Sequence, residues 1–286
     1  MEKPRKIQRI IRSKPTLEGA GVHLNRAFGF SEPRSFDPFL LLDDFRSDNP
    51  DDYIKGFPWH PHRGIETITY MLYGSVEHGD SLGNSGVIGP GDVQWMTAGS
   101  GIIHQEMPKG STTGRMGGFQ LWANLPASQK MMYPRYREVL NSQIPLVVAR
   151  GGASIRVISG EVEGTRGPVR DIITDPEYLD VTLPVGVEFS HPTKTDHTVL
   201  AYMIEGQAYF DPDKKTRVTN RELVQFEPGD RMVASAPDVP ARFLLISGYP
   251  IKEPVAWYGP IVMNTQEELR IAFDEYSKGT FIKYKG

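Results

Sequence analysis

The chain has 286 residues, of which 39% are hydrophobic and 23% charged, with a formal net charge of −3. These globular values exclude a disordered or fibrous chain and provide no basic surface for direct binding of nucleic acid. The absence of cysteine excludes disulfides, thiolate metal sites and cysteine nucleophiles.

The N-terminus carries no apolar targeting segment, and no apolar run reaches the roughly 18 residues that a membrane helix needs. We therefore expect a cytoplasmic protein, or a nuclear one in a eukaryote, with no membrane partner. The first fourteen residues are basic but interleaved with isoleucines. This pattern favours a strand with a solvated basic face over a patch that binds a partner.

Short segments rich in β-branched and aromatic residues recur along the first half of the chain, separated by turn residues. Glycine (29) and proline (23) are abundant, as in proteins built of many short strands. The segments predicted to be strands or buried wall are 5–12, 20–28, 38–45, 66–73, 76–78, 93–96 and 118–125. Their spacing predicts an all-β fold of the jelly-roll type, a sandwich or barrel.

Strand signals stop between residues 127 and 150, a stretch that we interpret as a connector. They resume at 153–158, 179–183, 199–210, 222–226 and 242–247. At 286 residues the chain exceeds the size of one small core. We therefore predict two domains, 1–135 and 136–286.

A helix is predicted only near the C-terminus, as part of the second domain. Thr265 and Glu268 form a capping-box pattern. An apolar stripe follows at i, i+3, i+4 and i+7, formed by Leu269, Ala272, Phe273 and Tyr276. Gly279 is a plausible stop signal.

Two short motifs in the first half indicate a metal site: His60-Pro61-His62 and His104-Gln105-Glu106. In a β-strand, side chains two residues apart point to the same face. Two such strands facing each other would surround one point with three imidazoles and one carboxylate. Glu66 shares the strand parity of the first pair, so it could also be a ligand or hydrogen-bond to one.

Imidazoles with one carboxylate suit a divalent transition metal, namely Fe, Ni, Mn, Cu or Zn. Four protein ligands leave one or two positions free on a five- or six-coordinate metal, which favours a reactive centre over a closed structural site. Open positions on a redox metal could hold a substrate and O2, as dioxygenase chemistry requires. A purely structural metal is the alternative.

Other polar residues in this region have a simpler interpretation. His78 and Asp80 lie near a turn and are expected to be structural. Gln120 and Trp122 share one strand face, while Phe119 and Leu121 share the other. One of these pairs should line a cavity, and the other should meet solvent or the second domain. The sequence contains no dinucleotide fingerprint, Walker loop or nucleophile elbow.

The chain also contains a weak internal repeat. Residues 70–74 (YMLYG) resemble 202–206 (YMIEG), and Pro90-Gly91-Asp92 resembles Pro228-Gly229-Asp230. These offsets place the two ligand pairs opposite residues that cannot complete the site: Pro192, Lys194, Arg242 and Leu244. The second domain is therefore predicted to be a metal-free copy, although a slip of one residue would bring His191 into play.

Several stretches strongly resemble the pirin family of the cupin superfamily. They are DPFLLLD at 37–43, GFPWHPHRGIETITY at 56–70, GDVQWMTAGSGIIHQE at 91–106, GFQLWANLP at 118–126 and EPVAWYGPIVMNT at 253–265. The resemblance implies a bicupin with two jelly-roll domains and a C-terminal helix. It also implies a single metal, most often iron, in the N-terminal domain, held by His60, His62, His104 and Glu106 rather than by Glu66.

The same resemblance implies two kinds of function. Some pirins are similar in activity to quercetin 2,3-dioxygenases, which open a flavonol ring with O2 and release CO. Glu106 would then be both a ligand and a catalytic proton acceptor, with a flavonol such as quercetin and O2 as partners. Other members are regulators that bind transcription factors or metabolic enzymes, with the metal's oxidation state as the switch.

Overall fold

A computed structural model of the chain describes residues 3–284. It confirms an all-β fold with a C-terminal helix. The first strands in chain order are β1 (Ile7–Arg12), β2 (Lys14–Glu18), β3 (Val22–Phe28), β4 (Phe39–Asp44), β5 (Phe57–His62), β6 (Ile65–Tyr73), β7 (Ser75–Asp80), β8 (Ser85–Ile88), β9 (Val93–Thr97), β10 (Ile102–Lys109), β11 (Gly117–Asn124) and β12 (Arg135–Val139).

The remaining elements are β13 (Leu146–Val148), β14 (Ser154–Ser159), β15 (Glu161–Val162), β16 (Thr165–Arg166), β17 (Glu177–Leu183), β18 (Val187–Pro192), β19 (Thr198–Tyr209), β20 (Arg217–Thr219), β21 (Glu222–Phe226), β22 (Arg231–Ala236), β23 (Ala241–Gly248), β24 (Ala256–Tyr258), β25 (Ile261–Met263) and α1 (Gln266–Ser277). Short 3-10 turns lie at Pro50–Asp52, Ala127–Gln129 and Asn141–Gln143.

The chain forms two compact units whose terminal segments are exchanged. Among the described residues, the first unit contains 14–141 and 251–284, and the second contains 3–13 and 142–250. The predicted division into 1–135 and 136–286 had each domain as one continuous segment. Strand β1 pairs with β21 of the second unit, whereas α1 packs on the hairpin β24–β25 of the first. The assignment of a metal-binding and a metal-free domain stays a prediction.

The first unit is a sandwich of two antiparallel sheets. One sheet has the strand order β12-β9-β6-β11-β4-β3-β2, and the other has the order β5-β10-β7-β8. A buried apolar cluster joins both sheets, with Val22 and Leu24 of the larger sheet packed against Val76 and Ile88 of the smaller one. Alternation along each strand turns one set of side chains into this interior.

The second unit encloses a well-filled apolar core. Its main sheet has the order β1-β21-β19-β23-β17-β14-β13, and β18 pairs with β22. The rings of Phe210, Phe226 and Phe243 meet edge to face inside it, with centroids 5.0 and 6.1 Å apart. Such close apolar packing leaves little room for a polar site.

The predicted connector was wrong, because residues 127–150 contain two strands. Strand β12 pairs with β9 at the edge of the larger sheet of the first unit, and β13 pairs with β14 in the second unit. Both are edge strands with several half-exposed or exposed side chains. An edge strand can carry charged residues on its open side, so the alternation that marks a strand is blurred here.

Strand pairing also corrects the register of the repeat. The turn at 90–92 precedes β9, but the turn at 228–230 precedes β22, which pairs with β18 as β10 pairs with β5. The pair His60↔His104 therefore corresponds to Phe189↔Ala234, and His62↔Ile102 corresponds to His191↔Met232.

The corrected register changes which residues replace the predicted ligands. Buried residues at alternate positions are Ile102, His104 and Glu106 on β10, and Met232, Ala234 and Ala236 on β22. Glu106 therefore corresponds to Ala236. The second unit thus keeps one imidazole, His191, in place of His62, and it bonds to Glu177 at 2.8 Å. The predicted counterparts Pro192, Lys194, Arg242 and Leu244 were wrong for two reasons. The two Pro-Gly-Asp turns precede strands that are not equivalent, β9 and β22, and the connection from β18 to β19 is longer than that from β5 to β6.

Helix α1 begins and ends as predicted. The Thr265 hydroxyl accepts a hydrogen bond from the Glu268 amide at 3.2 Å, and the Glu268 carboxylate accepts one from the Thr265 amide at 2.8 Å. Gly279 follows the helix with φ +70, in the left-handed region that glycine favours. Among residues 3–284, no helix is both long and apolar enough to cross a membrane.

Replacing Thr265 with alanine removes the side-chain half of this capping box. We expect the substitution to lower the free energy of unfolding by about 1 kcal/mol, because an amide of the first turn loses its acceptor. Urea unfolding followed by circular dichroism measures the change. The matched control is Ser277→Ala in the last turn; an equal loss there would show that the cap contributes nothing specific.

Candidate metal centre

The two ligand pairs lie on adjacent antiparallel strands of the smaller sheet of the first unit. His60 on β5 stands opposite His104 on β10, and His62 stands opposite Ile102. A bulge follows, so that Glu106 faces Phe57. Because Ile102, His104 and Glu106 alternate, all three side chains are buried on one face of β10.

The three imidazoles meet at their Nε2 atoms. His60 Nε2 lies 3.0 Å from His62 Nε2 and 2.9 Å from His104 Nε2. The Nδ1 atoms of His60 and His62 donate to the carbonyl oxygens of Pro58 and Pro260, at 2.9 and 3.1 Å. In the neutral rings, both Nε2 atoms therefore present lone pairs to each other, an arrangement that a cation between them stabilises.

Burial keeps two of the rings uncharged. It lowers the pKa of His62 and of His104 well below 6.5, and the neighbouring imidazoles lower each further. Neutral imidazole is the form that binds a metal. His104 has no orienting carbonyl among its hydrogen bonds; its ring packs instead between those of His60 and His78, with centroids 4.3 and 5.4 Å away.

His60, His62 and His104 form a cluster that could hold a metal ion, with potential ligand atoms all within 4.8 Å of one another. Glu106 is outside this close cluster but lines the same cavity as His60 and His62. Its Oε1 lies 3.3 Å from the Thr69 hydroxyl. The assignment of all four residues as ligands stays a prediction.

Glu66 forms hydrogen bonds away from the histidine cluster. It lies on β6 of the larger sheet, where its two carboxylate oxygens accept hydrogen bonds from Trp95 Nε1 at 3.2 Å and Thr97 Oγ1 at 2.7 Å. Burial raises its pKa. Through these two bonds Glu66 acts as a structural acceptor between strands β6 and β9.

The C-terminal hairpin β24–β25 secures the strand that carries His62. Besides the Pro260 carbonyl that orients His62, the Val262 amide donates to the Arg63 carbonyl at 3.1 Å. Gly64 has φ +78, and a Cβ there would overlap with the Val262 carbonyl oxygen. Only glycine permits so close an approach of the hairpin.

Two buried basic side chains fasten this arrangement. Lys130 Nζ donates to the carbonyl oxygens of Gly64 and Val262 at 2.8 and 3.0 Å, and to Asn124 Oδ1 at 2.6 Å. Arg63 donates to the carbonyl oxygens of Ser100 and Phe281 at 2.7 and 2.9 Å and pairs with Glu275 at 2.8 Å. The tail of the chain is thus anchored one residue away from His62.

His60 and His62 open onto a cavity of about 530 Å³ inside the first unit. This volume is within the usual range for small-molecule sites. The side chains around it are mostly apolar, and they include Leu24, Leu41, Phe45, Tyr53, Phe57, Val76, Met116, Trp122 and Trp257. Gln120 and Trp122 face the cavity, as predicted for one of the two pairs. Phe119 and Leu121 are buried, so the expectation that the other pair could meet solvent was wrong.

His78 and Asp80 are structural, as expected. Their side chains are hydrogen-bonded at 3.2 Å. Asp80 also accepts from the amides of Leu82 and Asn84 at 2.9 and 3.0 Å, which closes the turn between β7 and β8. The ring of His78 stacks on Tyr136 at 4.8 Å.

Comparison with known proteins identifies the family. The sequence model of the family described as Pirin matches residues 21–123, and that of the Pirin C-terminal cupin domain matches residues 178–282. The chain belongs to the pirin family. The resemblance seen in the sequence is therefore confirmed, and the two sandwich units are the cupins of a bicupin.

Similar pirins span nearly the whole chain. A pirin-like protein from Caulobacter vibrioides is 46% identical over 97% of this chain and 99% of its own length. Human Pirin is 39% identical over 96% of this chain and 93% of its own length. The crystal structure of quercetin 2,3-dioxygenase from Acinetobacter baumannii is 30% identical with a TM-score of 0.88, and the match covers 97% of this chain and 98% of that one.

Proposed function

We propose that this pirin is a metal-dependent dioxygenase of the quercetin 2,3-dioxygenase type. It would open the ring of a flavonol with O2 and release CO. The observation that carries the proposal is the convergence of three imidazole Nε2 atoms, with His60 and His62 at the wall of a largely apolar cavity. Similarity to the Acinetobacter baumannii quercetin 2,3-dioxygenase supports it.

Four residues would bind the metal, and one of them would also accept a proton. His60, His62 and His104 would hold the metal with Glu106 as the fourth ligand, and a metal with open positions would supply Lewis acidity and electron exchange with O2. Iron is our first choice, with Ni, Mn, Cu or Zn as alternatives. Glu106, which is buried and two residues from His104, would accept the proton of a substrate hydroxyl.

The cavity wall contributes by excluding water. Trp122 and Trp257 pack together with ring centroids 5.9 Å apart, and Trp122 meets the His62 ring at 5.1 Å. A flat aromatic substrate gains from burial against such surfaces, and a dry site strengthens the interactions of the ligand with nearby charges.

Ring opening is the direct test of this function. Purified protein loaded with iron is incubated with quercetin under air, and CO and the ring-opened ester are quantified. We expect both products in equal amounts, and none from protein stripped of metal by a chelator. Equal product formation with and without metal, or none in either sample, contradicts the proposal.

Substituting Glu106 and Glu66 one at a time tests which of the two carboxylates is a metal ligand and which is a structural acceptor. We expect Glu106→Gln to weaken metal binding by at least about tenfold, since loss of even an outer partner of a metal ligand has that effect. Glu66→Gln should retain the metal but destabilise the fold, because its new amide group faces the donors of Trp95 or Thr97. Competition with a chelating dye measures affinity; the reverse order of effects would assign the ligand role to Glu66.

A regulatory function is the second candidate. Three aromatic side chains are exposed at or beside cavity-lining positions: Phe30 at 58%, Trp59 at 53% and Tyr258 at 65%. Exposed aromatics of this kind are favoured in protein interfaces. Pull-downs with ferrous and ferric protein test it: partners specific to one state would support a redox switch, and identical partner sets would count against it.

A further inference from the structure

One row of polar side chains crosses the otherwise apolar wall that the larger sheet gives to the cavity. Thr69, Gln120, Asp43 and Arg26 occupy directly opposed positions on β6, β11, β4 and β3. All four line the cavity. Opposed residues in antiparallel strands are side-chain neighbours, so the four form a continuous stripe.

The stripe begins beside the candidate metal centre. The Thr69 hydroxyl lies 2.6 Å from Gln120 Oε1 and 3.3 Å from Glu106 Oε1. A hydroxyl has a single hydrogen, and the shorter contact identifies Gln120 as its acceptor. Thr69 therefore fixes the orientation of the Gln120 amide at the end of the row nearest Glu106.

The far end of the stripe is an ion-pair cluster. Arg26 grips Asp43 with two parallel hydrogen bonds, Nε to Oδ1 at 2.8 Å and Nη2 to Oδ2 at 2.7 Å. Its Nη1 pairs with Glu18 at 2.8 Å, and the Glu18 side chain is 40% exposed. This fork holds the Asp43 carboxylate in one orientation against the cavity.

Apolar pairs flank the row on both sides. Trp122 stands opposite Leu41 on one side. Leu24 and Phe45 lie on the other side, one strand position beyond the Asn25↔Asp44 pair. In an apolar cavity, a few fixed polar groups set the orientation and specificity of a ligand, and here they form a single line.

The charges of the row favour hydroxyl donors over anions. Two carboxylates, Asp43 and Glu18, face one guanidinium, and Glu106 adds a third carboxylate near the other end. Each Asp43 oxygen accepts one bond from Arg26 and can accept another. Burial raises the pKa of Asp43 to about 6, so the group is mostly ionised and an acceptor at neutral pH. A ligand carboxylate would meet like charge.

We propose that Arg26, Asp43 and Gln120 determine specificity by binding the hydroxyl groups at the distal end of a planar aromatic ligand. Asp43 accepts from the hydroxyls, Arg26 holds Asp43 in place, and Gln120 supplies an amide beside them. The placement of the ligand's other end at the histidines rests on the proposed function. Recognition by the row itself does not depend on turnover.

Binding without turnover tests the row. Metal-loaded full-length protein is titrated by calorimetry in the absence of O2 with three probes: 3-hydroxyflavone, quercetin, and 3-hydroxyflavone with a carboxylate on its outer phenyl ring. For the wild type we expect quercetin to bind about tenfold more tightly than 3-hydroxyflavone. This is about the gain in affinity that one hydrogen bond to a charged group provides. The carboxylated probe should bind more weakly than 3-hydroxyflavone.

Variants locate the preference. In Arg26→Met combined with Asp43→Leu, which replaces a buried pair by apolar groups of similar size, the quercetin preference should fall to about one, with 3-hydroxyflavone still bound. The single variant Gln120→Met should reduce the quercetin preference partly. If the double variant does not fold, Gln120→Met alone provides the test. The matched control is Arg242→Met with Asp180→Leu, which removes the same forked pair from the second unit, at 2.9 and 2.6 Å, and should keep the full preference.

Three results would overturn the inference: an unchanged preference in both cavity variants, tighter binding of the carboxylated probe, or no binding of any probe to the wild type. The outcome is separate from that of the ring-opening assay. The variants could abolish the quercetin preference while the ring-opening assay shows no release of CO. That pair of results would reject the dioxygenase function and still support ligand recognition by the row.

Discussion

Replacing His60 and His62 together with alanine is expected to remove the bound metal and, with it, the ring-opening activity. The Nε2 atoms of these residues are two of the three that converge, and His60 Nε2 lies within 3.0 Å of both others. A single remaining imidazole with Glu106 cannot hold the ion in competition with buffer and chelators. Metal content measured by mass spectrometry should fall from about one ion per chain to the background level.

His191→Ala is the matched control for this experiment. His191 takes the place of His62 in the second unit, where its partner is Glu177 and where Phe189, Ala234 and Ala236 stand at the other three positions. The prediction of a metal-free second unit requires that this variant keep its full metal content. Metal retained by the His60→Ala/His62→Ala variant, or lost from His191→Ala, would place the ion elsewhere.

Lys130→Met is expected to destabilise the first unit by about 4 kcal/mol. The side chain is 1% exposed, and its ammonium satisfies three buried acceptors on separate segments of the first unit. Methionine fills similar space but donates no hydrogen bond, and each buried acceptor left unpaired costs roughly 1–3 kcal/mol. Urea unfolding should show the transition of the first unit moving to lower denaturant.

The control for Lys130 is Lys109→Met, an exposed lysine of the same unit. Its effect should be within about 0.5 kcal/mol. Metal affinity offers a second readout, because Lys130 ties Val262 to Gly64 and thereby supports the Pro260 carbonyl that orients His62. A Lys130→Met protein with wild-type stability would show that the other contacts of the hairpin hold it without Lys130.

Local patterns were sufficient to predict many of the strands and the convergence of the three histidines, but not the edge strands β12 and β13. The side-chain parity of two short motifs predicted that His60, His62 and His104 would share one point, and the strand pairing of β5 with β10 brings them there. The capping box at Thr265 likewise predicted the helix start, because both partners lie within one turn. Where the interacting residues are close in sequence, spacing alone fixes their geometry.

Other features depend on contacts that no local pattern encodes. The Pro260 carbonyl that orients His62 is a backbone atom 198 residues away. The role of Asp43 required knowledge that β3 lies beside β4, and the register of the repeat depended on which strands pair. Lysine is usually exposed to solvent, so the sequence gives no sign that Lys130 is buried. Only the tertiary structure shows its three buried acceptors.

The exchange of terminal segments reverses the order in which the two cupins can be completed on the ribosome. The second unit needs residues 3–13 and 142–250, so all of its strands exist once residue 250 has emerged. The first unit, although most of it is synthesised earlier, lacks the Pro260 carbonyl, Val262 and the Phe281 anchor of Arg63 until residues 260–281 have emerged. Nascent domains generally fold in the order of their synthesis. The histidine centre would therefore be completed later than the second unit, only after residue 281 has emerged, although His60, His62 and His104 are synthesised first.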